Sequence, residues 1–142
     1  MKIILLTALL IIALSFSGCS GQDTTDEDTD IHVISDRFFS TQIIEIVLNE
    51  DDFLGRTIRY TGMFISIHWP VTGNYYYFVA RMGDDCCGAG GFIGFEVNLN
   101  DIPYVEDYTW VEITGVLEVF SDEFRENLRL DVISMIEIDE VS

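Results

Sequence analysis

Thr57-Ile58-Arg59-Tyr60-Thr61-Gly62-Met63-Phe64-Ile65-Ser66-Ile67 is the stretch whose reading decides the fold. Apolar side chains recur there at every second position, the spacing of a half-buried strand. Ile58 and Tyr60 share one phase, Met63, Ile65 and Ile67 share the other, and Gly62 stands at the change. A glycine at such a shift marks a bulge, so a long first strand bent at Gly62 is expected. The same period returns downstream. Tyr75 to Met82 makes a second strand, and Ile93, Phe95, Val97 and Leu99 set the phase of a third. Val111, Ile113, Leu117 and Val119 alternate with polar residues in a fourth, and Leu128, Leu130, Val132, Ile136 and Ile138 share one phase of a fifth. Between the third and fourth, Asp101 to Tyr108 interrupts the pattern and suits one helical turn, with Asp101 as cap and Pro103 just inside. Upstream, Ile31 to Ile34 reads as a short strand, and Ile43, Ile44, Val47 and Leu48 fall on one face of a short amphipathic helix. The expected fold is mainly β: a five-stranded, OB-like Greek-key barrel with one N-terminal helix. A small β-sandwich of the same strands is the alternative.

Working outward, the N-terminus carries a different signal. Lys2 precedes an apolar run from Ile3 to Leu14, the length of a signal-peptide core and too short to span a bilayer. Ser15-Phe16-Ser17-Gly18-Cys19 follows, and small residues before a cysteine resemble the processing site of a bacterial lipoprotein. Residues 1–18 are thus expected to be a signal peptide, with Cys19 lipidated and anchoring the chain to the outer side of the cell membrane. From Ser20 to Asp30 there are five acids, no base and no apolar residue to bury, so residues 19–30 read as a disordered tether. Residues 31–142 then form one domain with a single core.

The 142-residue chain carries 25 acids against seven bases, a formal net charge of −18. Lys2 is its only lysine. Phosphate binding relies on clustered Lys and Arg, so a nucleic-acid partner is excluded. Two histidines are too few for a relay and no serine sits in a nucleophile elbow, so no enzyme is expected.

Phe53-Leu-Gly-Arg-Thr-Ile-Arg-Tyr-Thr-Gly-Met-Phe64, Phe78-Val-Ala-Arg81 through Cys86-Cys87, and Tyr108-Thr-Trp-Val-Glu-Ile-Thr-Gly-Val-Leu117 together resemble the soluble C-terminal domain of the YcgQ-like permease subunits. The similarity covers most of Ile31 to Ile138. It implies association with a membrane permease and assigns no settled biochemical role. The membrane-spanning N-terminal half of that family is replaced here by the lipid anchor, and Gly88-Ala89-Gly90-Gly91 stands where Ala-Ala-Asp-like residues are usual.

Cys86 and Cys87 admit three readings: packing residues, a vicinal disulfide, or a soft-metal site. Thiolates suit zinc or copper(I), with Asp84, Asp85 or His68 completing a set, although no C-x-x-C spacing is present. A separate platform of Trp69, Tyr75, Tyr76 and Tyr77 could stack a ring-shaped ligand. The function expected from these features is a lipid-anchored extracytoplasmic binding or accessory domain, serving a membrane transporter or envelope complex. A metal-handling or thiol-redox protein and a structural envelope lipoprotein are the alternatives.

Because a metal must displace thiol protons, its binding weakens as pH falls. Zinc and copper(I) titrations of the reduced chain are expected to lose their signal in both Cys86→Ser and Cys87→Ser. Two freely titrating thiols and no bound metal would leave the cysteines as packing residues.

Overall fold

The computed structural model describes residues 30–83, 91–123 and 125–140. Its elements in chain order are β1 (Ile31–Val33), a 3-10 turn (Asp36–Phe38), α1 (Phe39–Leu48), α2 (Glu50–Phe53), β2 (Thr57–Trp69), β3 (Asn74–Met82), β4 (Phe92–Asn98), β5 (Trp110–Ser121) and β6 (Glu126–Glu137). The strands run β1-β2-β3-β4-β6-β5, and a further pairing of β2 with β5 closes the last five into a barrel. β4 and β6 are parallel and the other barrel pairs antiparallel, the Greek-key connectivity of an OB-like barrel. β1 is an extra strand, parallel to the start of β2.

Closure depends on β2 serving two partners. Thr57 to Met63 pairs with β5, and Met63 to Trp69 pairs with β3. The bulge expected at Gly62 does not form: the register is continuous, and Ile58, Tyr60 and Phe64 all point into the barrel. Gly62 is needed for another reason. A Cβ there would meet the Ala80 backbone at 3.2 Å, so its absence lets the strand cross close to β3 as it changes partners.

The irregularity lies in β6 instead. Thr114 pairs with Ser134 but Gly115 with Val132, which leaves Ile133 as the extra residue. Inward phase therefore passes from Leu128, Leu130 and Val132 to Met135, and Ile136, expected inside, is exposed. Two other expectations are corrected. The buried face of α1 is Phe39, Ile43 and Ile46, whereas Ile44, Val47 and Leu48 are exposed. Residues 99–109 contain no helical turn at Asp101 and Pro103; they form an irregular loop that lays Ile102 and Val105 against the core.

Each barrel end is closed by aromatic packing. Where β2 begins, α1 places Phe39 against Tyr60 at 5.6 Å between ring centroids. At the other end Tyr104 stands edge-on to Phe64 at 5.4 Å and beside Tyr77. Arg81 ties the segment before α1 to the barrel: its guanidinium covers the Phe39 ring, donates to the Thr61 carbonyl at 2.7 Å and pairs with Asp36.

Tyr60 joins three strands. Its ring is 1% exposed, its hydroxyl donates to the Val79 carbonyl at 2.7 Å, and that same oxygen accepts from the Phe95 N–H at 3.3 Å. Burial pushes the hydroxyl far above the usual tyrosine range, so it stays protonated and able to donate. Tyr60→Phe removes both of these buried hydrogen bonds and should lower the unfolding free energy by about 1–3 kcal/mol in urea titrations. The exposed-phase change Glu112→Gln should alter it little, while Ile113→Asp, at a fully buried position, should abolish folding or nearly so.

A candidate binding face on the outer wall of the barrel

Apolar residues occupy both phases of β2 and β3. One phase fills the barrel, and the other builds the outer wall, where Ile65 faces Phe78 and Ile67 faces Tyr76 across the two strands. β4 extends this wall, with Gly94 beside Ala80 and Glu96 beside Phe78. A Cβ on Gly94 would come within 2.2 Å of the Val79 carbonyl oxygen, so only glycine allows so close a pairing. Two adjoining hollows result. One of about 340 Å³ is lined by Ile67, Trp69, Thr72, Tyr76, Phe78 and Arg125. The other, about 230 Å³, shares Ile67 and Phe78 and continues over Ala80 and Gly94 to Phe92.

The charged groups at this wall are held against one another. Glu96 is buried, and its carboxylate accepts two hydrogen bonds from Arg125, at 2.6 and 3.0 Å, and one from Asn127 at 3.2 Å. The Arg125 guanidinium lies 4.0 Å from the Tyr76 ring centroid and reaches Asp122 at 3.4 Å through Nε. Hydrogen bonding to Glu96 holds the guanidinium pKa even above its ordinary value, so Arg125 keeps its charge. With its carboxylates committed to Arg125, the guanidinium is a structural clamp, and the wall presents rings and aliphatic carbon to solvent.

Strand alternation divides the aromatics that the sequence groups together. Trp69 and Tyr76 lie on the outer wall. Tyr77 points the other way, stacked on Phe64 at 5.7 Å, and Tyr75 lies beside His68 at 4.9 Å on that same side of the hairpin. Ile65, Ile67 and Phe78, absent from the sequence-derived set, form the centre of the wall. The signal for them was the apolar residues filling both phases of β2.

His68 belongs to the β2–β3 hairpin, paired with Tyr75, whereas residues 84–90 run between the other ends of β3 and β4, where Gly83 N–H meets the Gly91 carbonyl at 2.9 Å. About 23 Å of strand separates Tyr75 from Met82. Cys86, Cys87, Asp84 and Asp85 lie outside the described residues, as does Cys19. Among the described residues no group of three or more His, Cys, Asp or Glu side chains is placed to hold a metal.

With this architecture in view, comparison with known families is decisive: the family described as DUF1980 C-terminal domain matches residues 20–142. The chain belongs to that family. This agrees with the YcgQ-like resemblance of the barrel segments. No curated protein matches the chain. As a DUF1980 C-terminal domain the chain carries the outer wall on the strands that build its barrel.

Removing one partner of a buried ion pair costs more than replacing both with apolar groups. Arg125→Met alone should therefore destabilise this DUF1980 C-terminal domain by about 1–3 kcal/mol, and Arg125→Met with Glu96→Leu by less. A double-mutant cycle in urea measures both.

Proposed function

We propose that this chain is a lipid-anchored, extracytoplasmic binding or accessory domain that docks on a membrane transporter or envelope complex through the outer wall of β2, β3 and β4. The observation that carries this reading is the apolar lining of that wall, its one charged residue Arg125 ion-paired, in a chain of net charge −18. An acidic exterior keeps such molecules solvated and apart. Against it, Ile67, Trp69 and Phe92 remain 44%, 51% and 52% exposed on one continuous strip. Protein interfaces have this character at their centres, with aromatic and aliphatic residues enriched and charge depleted. Lipidation at Cys19 would hold the wall near the membrane on a short acidic tether, within reach of a membrane complex.

Two measurements test it. Cys19→Ala should move the protein from the membrane to the soluble fraction of fractionated cells; unchanged membrane association would overturn the anchor. Ile67→Asp and Phe92→Asp, both at exposed positions, should leave the melting temperature within a few degrees and abolish crosslinking of the chain to its membrane complex. Crosslinking that persists in both variants rules out the wall as the docking surface.

A further inference from the structure

β4 and β6 begin a parallel ladder and do not complete it. Their pairing is confined to Glu96, Val97 and Asn98 against Arg129, Leu130 and Asp131. Towards the other end of the barrel β4 keeps β3 as far as Phe92, and β6 keeps β5 as far as Glu126. Between them, residues 92–95 and 126–128 have no strand partner among the described residues on the sides that face each other. The strands part there around a cleft of about 420 Å³. Gly94, Phe95 and Glu96 contribute one wall, Glu96 being held by Arg125 and Asn127; Asn127 and Leu128 contribute the other, and Val47 of α1, Phe78 of β3 and Val119 of β5 add apolar surface.

An open strand edge is a template for another extended chain, and folded proteins normally blunt or cover such edges. Four residues of strand span about 13 Å, room for an equally short extended segment. Charge selects among possible occupants. Glu50 and Glu126 stand at the rim, both exposed and unpaired with any described cation, and Asp51 and Asp52 of α2 adjoin Glu50. No lysine or arginine lines the cleft. The chain's own acidic segment 20–30, with five acids and no base, would be repelled there.

The geometry points to strand addition: the cleft between β4 and β6 takes an extended segment of a partner protein in which apolar residues alternate with lysine or arginine. Backbone hydrogen bonds to both edges supply affinity, the apolar side chains enter between Val47, Val119 and Leu128, and the cationic ones meet Glu50 and Glu126. This site adjoins the wall and shares Phe78 and Gly94 with it, but Ile67, Trp69 and Phe92 lie outside it, so variants at Glu50 and Glu126 test it independently of that wall's partner.

The probe is an acetylated and amidated peptide alternating valine and lysine, titrated against the full chain in detergent and followed by amide NMR and hydrogen exchange. Saturable shifts and slowed exchange are expected at residues 92–95 and 126–128. The same peptide N-methylated at alternate residues keeps its charges and loses its hydrogen bonds, and it should bind at least tenfold more weakly. Glu50→Lys with Glu126→Lys, both at exposed positions, should weaken the lysine peptide at least tenfold and admit a valine–glutamate peptide instead. The inference is overturned by equal binding of the methylated and unmethylated peptides, by shifts confined to other strands, by self-association of the chain through this cleft, or by no saturable shift up to about 1 mM peptide.

Discussion

The Tyr60 hydroxyl is the interaction on which the barrel depends. It originates on β2, reaches the Val79 carbonyl of β3 and receives the Phe95 N–H of β4, so one side chain satisfies backbone groups of two neighbouring strands from inside the core. Unpaired, each of those groups would be buried at a cost comparable to a lost hydrogen bond. Its ring also carries the contact with Phe39 that seats α1, and it lies near Phe95. Strand closure and helix docking therefore share one residue. Gly94 belongs to the same arrangement, because it permits β4 to approach β3 more closely than a Cβ would allow, and Gly62 relieves a tight contact with Ala80 on the other side of β3.

The barrel's polar groups are handled by a small number of arginines. Six arginines serve a chain with 25 acids, and three of them are committed to ion pairs that also stack on rings. Arg81 covers Phe39, Arg125 covers Tyr76 and Arg129 covers Phe120. The planar guanidinium can do both at once, which an ammonium does less well. These arginines shield apolar surface at the barrel's seams. The outer wall and the β4–β6 cleft differ in this respect: Glu96, where the two meet, is paired with Arg125, whereas Glu50 and Glu126 at the cleft rim have no cationic partner among the described residues.

Much of the fold was legible from alternation alone. Five barrel strands, their order in the chain and the inward residues Val111, Ile113, Leu117, Leu130 and Val132 follow from period-two patterning, because burial on one face rewards it. Where the reading failed, a tertiary contact had replaced the local signal. Gly62 looked like a bulge since apolar residues change phase there, yet the outer phase is apolar because it forms a wall of its own. Ile136 was assigned inward because the bulge at Ile133 leaves no mark in composition. The face of α1 was misplaced because Ile44, Val47 and Leu48 are apolar and exposed, and no helical periodicity distinguishes an apolar residue that meets the core from one that meets solvent.

What the sequence determined by itself was the strand inventory, the strongly acidic composition, and membership in a family recognisable over residues 20–142. Only the tertiary structure decided which side chains share a surface. Trp69 joins Tyr76 and parts from Tyr75 and Tyr77 because successive side chains of a hairpin point to opposite faces. Glu96 becomes a neutralised anchor because the turn after β5 returns Arg125, 29 positions along the chain, to its carboxylate. The β4–β6 cleft exists because a parallel pairing between strands distant in sequence ends after three residues, a matter of register and twist that composition does not encode.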